Sequence, residues 1–401
     1  MTYAAVLADT TFRALFATRT FAIAADTVRM VALSALVFSS TGSTLLAAVA
    51  YGIGFLPQLL GGSLLGAVAD LLPPRRLLTL GYAVQFGSGL TLALAHLPVW
   101  PSLALVAAVS MVTPLLNGAV GRVVADVLSG ESYVLGRSLL SLALSVAQLA
   151  GMAGAGAAIA ALGARHALLI TAALHLIAAA WVRLRLPALP VPAGEPGAPS
   201  IVRRSWAGNG QLLRGRTTRT LFLAQWIPPA CVTAAESLLV PYVAVRGLPA
   251  ETGGLLLACL PVGMLLGSLL LGRTAGPALR RRLLVPTMAV VGLPLLGFAV
   301  PGLPVWGCGA LLVLAGGGFS YELGIQQRFR DVVPVSARGQ AFSLLTTGLM
   351  AAQGISPAIA GALAGFVPVV DVIALCGAVS VLAAVRFRLR AAEVMGRLTP
   401  P

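Results

Sequence analysis

Long, uninterrupted apolar runs dominate this chain, and short polar connections separate them. None of the runs alternates apolar and polar residues as the strand of a membrane barrel would, so helices are favoured. A helix needs about 20 apolar residues to cross the hydrocarbon core of a membrane. Runs of this kind lie near 14–38, 45–68, 77–96, 99–125, 139–162 and 166–186, and near 219–243, 253–272, 283–301, 304–326, 340–364 and 368–388. We therefore expect an all-α membrane protein with twelve transmembrane helices.

The second half of the chain repeats the first at an offset of about 206 residues. Arg13–Phe16 recurs as Arg219–Phe222, and Arg75–Leu78 recurs as Arg281–Leu284. These matches fall at the ends of apolar runs, where a helix meets its connecting loop. Two similar halves in a membrane are typical of a carrier that rocks one half against the other around a site near the midplane.

Composition and charge agree with a membrane protein and set its orientation. The chain is 58% hydrophobic and only 10% charged, against roughly 25% charged residues in a soluble domain. If both termini and the even-numbered connections lie inside, 24 of the 27 basic residues face the cytoplasm, and only Arg165 and Arg246 face outward. This bias predicts cytoplasmic termini. The basic residues are spread over short loops without aromatic platforms, so we expect contact with anionic lipid and no nucleic acid.

The one long polar stretch divides the chain into two halves. It runs from about 187 to 218 and is rich in proline and glycine, which is a linker composition. We predict an N-terminal six-helix bundle at 1–186, a cytoplasmic linker at 187–218, and a C-terminal six-helix bundle with a short cytoplasmic tail at 219–401. No phosphate-binding loop, metalloprotease motif or nucleophile elbow is present, so we predict neither an enzyme nor a cofactor.

Cysteine and histidine carry no predicted chemistry. The four cysteines lie inside apolar runs without a CxxC pair, which favours packing roles. His96, His166 and His175 are interpreted as lying at or near the ends of runs. Their spacing does not suit a metal, and no role is assigned to them.

The connection between the second and third runs resembles a known family signature. Gly66–Arg76 is similar to the loop motif of the major facilitator superfamily, although Leu71 replaces the usual arginine and Pro73-Pro74 replaces the glycine region. Together with the twelve runs and the repeat, the resemblance covers nearly the whole chain. It implies two six-helix bundles and a monomeric secondary carrier. It also implies a gating cluster on the inner side, made of Gly66, Asp70, Arg75, Arg76, Arg122 and Asp126. The alternative is that these charges only mark the membrane edge.

Three charged residues inside the apolar runs carry the sharpest chemical signal. Asp26 and Arg29 are three residues apart in the first run and so share one helix face, and Glu236 lies at a similar depth in the seventh. Charges inside a membrane usually face a cavity or a partner. If Arg29 pairs with one acid, the other carboxylate is left to take up a proton or a cationic substrate in competition. The alternative is a structural Asp26–Arg29 pair with Glu236 bonded to a helix. Which acid is free stays open.

Three further residues are weaker candidates for binding a substrate or a proton, namely Glu322, Gln225 and Asn117. The pattern resembles bacterial drug and metabolite exporters of this superfamily, which implies a protein of the bacterial inner membrane. We therefore expect proton-coupled export of a small molecule by alternating access. The alternatives are a proton-coupled importer of a nutrient or siderophore, and a membrane-embedded protein that does not transport.

Overall fold

The computed structural model of the chain describes residues 3–61, 72–188, 213–274, 277–333 and 338–396. These parts form helices joined by short connections, with no strand among them. We label the helices in chain order. They are α1 (Tyr3–Ala8), α2 (Thr10–Thr41), α3 (Thr44–Gly52), α4 (Pro74–Leu94), α5 (Val99–Ser110), α6 (Thr113–Val127), α7 (Gly130–Leu162), α8 (Ala164–Arg185), α9 (Arg216–Ser237), α10 (Leu239–Val245), α11 (Ala250–Thr274), α12 (Pro277–Leu296), α13 (Val305–Gly318), α14 (Tyr321–Val332), α15 (Arg338–Leu363) and α16 (Val369–Gly396).

The length and hydropathy of these helices bear out the predicted all-α membrane class. In the described parts of the chain, nine helical segments are long and apolar enough to cross a membrane. Two shorter apolar helices, Val146–Leu162 and Val305–Gly318, also lie in predicted spans. The fold class is therefore confirmed, and the number of twelve spans stays a prediction.

Helix boundaries repeat at the offset that the sequence shows. α2 begins at Thr10 and α9 at Arg216, while α5 begins at Val99 and α13 at Val305, and each pair of starts is 206 residues apart. The repeat is therefore present in the local structure of both halves.

Proline breaks one long helix in each half by the same mechanism. α5 ends at Ser110, four residues before Pro114, and α9 ends at Ser237, four residues before Pro241. A proline ring collides with the carbonyl four residues earlier and offers no N–H to bond it, so the helix ends at that carbonyl. The second break falls after Ser237, one residue beyond Glu236, which places this acid in the last turn of α9.

α2 is continuous because both of its ends are well capped. The Asp9 side chain accepts a 2.7 Å hydrogen bond from the backbone N–H of Phe12. At the other end Gly42 adopts a left-handed φ of 64° and donates its N–H to the Phe38 carbonyl. The 32 residues between the caps carry Asp26 and Arg29 near their middle.

The chain divides into two compact units, described here one at a time. The first contains the described residues of Met1–Gly42, Ile53–Pro196 and Pro249–Gly254. Within it, α2 and α4 both pack against α8, and α7 packs against α2. Large side chains from α2, α4 and α6 fill the core; they include Phe12, Leu15, Leu78, Tyr82 and Leu116.

The second unit contains the described residues of Ser43–Gly52, Gly197–Leu248 and Leu255–Pro401. Within it α9 packs against α15 and α16, and α12 packs against α13 and α16. The short helix α3 also belongs to this unit, where it packs on α15. Small residues allow that contact, because a Cβ added at Gly52 would lie 2.7 Å from the Pro357 ring. The Thr44 hydroxyl donates to the Gly361 carbonyl at 3.3 Å.

Candidate functional site

The first unit buries a charged cluster between α2 and α8. An Arg29 guanidinium nitrogen donates to an Asp26 carboxylate oxygen at 2.8 Å, as expected for residues three apart on a helix. The Arg29 side chain is 8% exposed and that of Asp26 is 28% exposed. From α8, His175 Nε2 lies 3.5 Å from the same Asp26 oxygen. The structure therefore contains the Asp26–Arg29 pair that the sequence offered as one alternative, and His175 lies beside it.

The interpretation of His175 as a residue near a helix end is wrong. It lies in the middle of α8 and is 0% exposed, and its Nδ1 lies 2.9 Å from the Thr171 carbonyl oxygen. Its central position in the apolar run 166–186 was already visible in the sequence. What the sequence did not show is which helix His175 faces.

A second polar contact joins α2 to α6. Arg19 donates to the Asn117 side-chain carbonyl at 2.5 Å, so Asn117 binds a residue that sequence analysis did not single out. Tyr82 of α4 lies near both Arg19 and Asp26, and its hydroxyl is buried without a hydrogen-bond partner. The polar network therefore extends from the Asp26 cluster along α2.

Several buried polar atoms of this unit have no hydrogen-bond partner within the described protein. They are Arg29 Nη1, Tyr82 Oη, Gln85 Oε1, Ser88 Oγ and His175 Nε2. Buried polar groups in native proteins are nearly always hydrogen-bonded, to protein or to ordered water.

The second unit holds a buried acid without a cation. Glu236 is 8% exposed, and no basic side chain of the described residues lies within 4.0 Å of its carboxylate. The Tyr51 hydroxyl, at the end of α3, lies beside it without completing a hydrogen bond of ordinary geometry. Sequence analysis missed Tyr51, since nothing local connects it with Glu236.

Glu322 is the second acid of this unit without a basic partner within 4.0 Å among the described residues. It lies in the first turn of α14, where the helix N-terminus stabilises a negative charge. Glu236 lies at the opposite kind of position, in the last turn of α9, where the helix end contributes a partial negative charge. The neighbouring Tyr321 donates its hydroxyl to the Ala224 carbonyl at 3.2 Å and joins α14 to α9.

Gln225 makes a contact within its own helix. Its amide donates to the Leu221 carbonyl at 3.1 Å, and the side chain is buried. The neighbouring Trp226 donates to the Leu345 carbonyl at 2.9 Å and stacks on Phe222. These contacts stabilise the packing of α9 on α15, so a substrate role for Gln225 stays a prediction without support from its geometry.

The expected gating residues divide into those described and those not. Gly66 and Asp70 lie outside the described residues. Of the others, Arg75 donates to the Arg183 carbonyl at the end of α8, and Arg76 is exposed. Arg122 and Asp126, one turn apart on α6, approach to 3.9 Å. The gating role of all six residues remains a prediction.

The Asp26–Arg29 pair predicts a non-additive effect on stability. We expect Asp26→Asn to lower the free energy of unfolding by about 1–3 kcal/mol, because it removes the charge that is hydrogen-bonded to the buried Arg29 guanidinium. Adding Arg29→Gln should recover part of that loss. Thermal unfolding is measured with a thiol-reactive dye, since Cys231 and Cys308 are buried free thiols. Simple additivity of the two substitutions would contradict the pairing.

Comparison with known proteins defines the class to which this fold belongs. A helical membrane protein with repeated halves and buried intramembrane charges is the architecture of a secondary carrier. The family model of the Major Facilitator Superfamily matches residues 15–329, and the chain belongs to this superfamily. It is therefore a multi-pass membrane transporter. No curated protein matches the chain in sequence.

Solved structures of several transporters share the fold. A POT family transporter, PepTSo, superposes with a TM-score of 0.72 at 12% identity, over 96% of this chain and 98% of the other. A mutant of the nucleoside transporter NupG gives 0.73 at 13% identity, over 95% and 99%. A bacterial homologue of the human lysosomal transporter Spinster, in an inward-facing and unoccupied conformation, gives 0.65 at 15% identity, over 95% of each chain. At these identities the similarity establishes the fold alone.

Proposed function

We propose that this transporter exports a small molecule in exchange for protons, and that Glu236 is the acid that binds the exchanged proton. One observation carries the proposal: Glu236 is buried in a membrane-spanning helix, and no basic side chain of the described residues neutralises it. An isolated carboxylate in an apolar surrounding is costly as an anion, so it tends to hold either a proton or a cationic ligand.

Exchange follows from the competition between these two occupants. A carboxylate that binds a proton on one side of the membrane, and gives it up when a substrate binds from the other side, couples the two movements in opposite directions. A positively charged or zwitterionic substrate competes directly for the carboxylate. A neutral substrate competes only if its binding favours the deprotonated form. We therefore expect cations and zwitterions to give the stronger coupling.

The first unit supports this choice of acid. Asp26 has an arginine partner at 2.8 Å, whereas Glu236 has only the Tyr51 hydroxyl beside it among the described residues. These contacts favour Glu236 as the carboxylate without a cationic partner. Glu322 is the alternative acid, and its place at a helix N-terminus stabilises its anionic form.

The test is proton release from acidified inside-out vesicles on addition of lipophilic cations, zwitterions and neutral antibiotics. We expect at least one compound class to release protons from vesicles that contain the protein and from none that lack it. Unchanged proton release in the combined variant Asp26→Asn/Glu236→Gln would show that the proposed site is wrong. No response to any compound would count against proton exchange.

The direction of transport needs a separate measurement. Cells that produce the protein are compared with cells that produce a Glu236→Gln variant, and accumulation of the responding compound is measured in both. Export predicts lower accumulation in the cells with the unmodified protein. Higher accumulation there would identify an importer and would overturn the proposed direction.

We place the protein in the bacterial inner membrane with cytoplasmic termini, in line with the arginine bias.

A further inference from the structure

The hydrogen bonding of His175 determines which ring nitrogen carries a proton. Nδ1 lies 2.9 Å from the Thr171 carbonyl oxygen. A carbonyl oxygen only accepts, so Nδ1 must be the donor and must carry its hydrogen. Nε2 is then either an acceptor with a free lone pair, in the neutral ring, or a second donor, in the imidazolium. The contact with the Thr171 carbonyl therefore places one hydrogen of the His175 ring on Nδ1.

Nε2 lies near another acceptor. Its distance to the Asp26 carboxylate oxygen is 3.5 Å. A bridging water would need roughly 4.5 Å between the two atoms, because each hydrogen bond takes about 2.8 Å and the two meet at a near-tetrahedral angle. A neutral imidazole and an ionised carboxylate would therefore face each other with two lone pairs, in a place where the ring is 0% exposed. A proton between the two atoms removes that repulsion.

Three helices pack against α8, and they determine the charges around His175. α2 contributes Asp26 and Arg29, with Arg19 further along the same helix, and α4 contributes the Tyr82 hydroxyl. α7 has no charged residue after Arg137. Arg29 and Arg19 oppose a positive charge on the His175 ring, while the Asp26 carboxylate 3.5 Å away favours it. The opposing influences make proton binding at this point reversible and responsive to the state of Asp26.

We propose that His175 and Asp26 form a second proton-binding site, in which one proton lies between Nε2 of His175 and Oδ1 of Asp26. His175 is in this view a proton-binding residue of the first unit, separate from Glu236 in the second. Its use in transport rests on the proton exchange proposed above, whereas proton binding itself is measured without any transport. The protein would then bind a proton in each of its two units.

The chain offers a clean spectroscopic test, since it contains only three histidines. His96 and His166 are exposed, so His96→Asn/His166→Gln leaves His175 as the single histidine without disturbing a buried site. Asparagine suits position 96 because His96 has a positive φ of 48°. The full-length variant, labelled with ¹⁵N-histidine in lipid nanodiscs, is titrated with pH and its ring nitrogens are observed by NMR. We expect both nitrogens of His175 to carry protons at low pH and Nε2 to lose its proton as the pH rises.

A matched comparison, in protein that retains His166, links the signal to Asp26. His166 lies on the same helix and also has Nδ1 beside the carbonyl four residues earlier, at 2.7 Å, but no carboxylate of the described residues lies within 4.0 Å of its ring. Asp26→Asn should lower the fraction of His175 rings that carry protons on both nitrogens at a given pH, and leave the ring signals of His166 unchanged. A His175 ring that stays neutral at every pH, or that titrates identically in the Asp26→Asn variant, would overturn the site; the first readout needs no variant of Asp26.

The transport assay separates the two proposals. His175→Gln in a protein that keeps Glu236 should reduce the number of protons released per compound bound. If wild-type vesicles release no protons with any compound while His175 still titrates with Asp26, the proton exchange is wrong and the proton site stands. If protons are released and His175 never titrates, the exchange stands and the second site is wrong.

Discussion

Replacing Glu236 by glutamine is expected to lower strongly the compound-induced release of protons, leaving at most the part that the His175–Asp26 site contributes. Glutamine has nearly the same shape as glutamate, but it cannot ionise. The buried position then holds no exchangeable proton. Downhill movement of a neutral compound should persist, because it needs only the change of conformation. Movement of cations should fall as well, because their counter-charge is lost.

The matched control for this substitution is Glu251→Gln. Glu251 is the same residue type in the first turn of another spanning helix, and it is exposed. We expect wild-type proton release from this variant. Infrared difference spectra supply a second readout that needs no substrate, since Glu236→Gln should remove a protonated-carboxyl C=O band that Glu251→Gln keeps. Equal proton release from the Glu236 variant and the wild type would show that another acid, Glu322 in the first instance, exchanges the proton.

Alanine at Gly316 is expected to destabilise the protein, whereas alanine at Gly317 is expected to be tolerated. A Cβ at Gly316 would lie closer than 3.0 Å to the backbone carbonyl oxygen of Leu260, and no flexible side chain can move away to relieve this contact. The helices α11 and α13 would have to separate. Overpacking of this kind costs about 1–3 kcal/mol, and a backbone clash belongs at the upper end. We expect less folded protein to be recovered on purification of the Gly316→Ala variant.

At Gly317 the nearest atom to an added Cβ, the Gly263 carbonyl oxygen, is 3.8 Å away, an ordinary van der Waals distance. The higher helix propensity of alanine should then stabilise α13 by up to about 1 kcal/mol. The two variants differ by one position in the same glycine run, so they share any general effect of losing a glycine. Thermal unfolding in detergent measures both. Equal stability of the two variants would show that the close approach of α11 and α13 does not exist in the membrane.

Much of the fold could be predicted from the sequence because the relevant physics is local. Apolar runs long enough to cross a membrane predicted helices, and the arginine distribution predicted an orientation that still awaits measurement. The three-residue spacing of Asp26 and Arg29 predicted a shared helix face, and the two side chains indeed pair at 2.8 Å.

The residues that meet in the candidate site were harder to predict from the sequence, because they come from distant parts of the chain. Of the three charges counted in the sequence, Asp26 and Arg29 were correctly placed together as one of two alternatives. Glu236 could not be assigned a partner, since its neighbour Tyr51 lies on another helix. Asn117 was chosen without its partner Arg19, which approaches from α2.

The sequence by itself determined the helical class, the repeat and the presence of more acid than base in the apolar runs. Each of these depends on residue type and on spacings of a few residues along one helix. Only the tertiary structure decided that His175 faces Asp26, that Glu236 has no described cation beside it, and that α11 meets α13 at glycine. Those facts depend on which faces of separate helices pack together, and the periodicity of one helix does not specify the face of its neighbour.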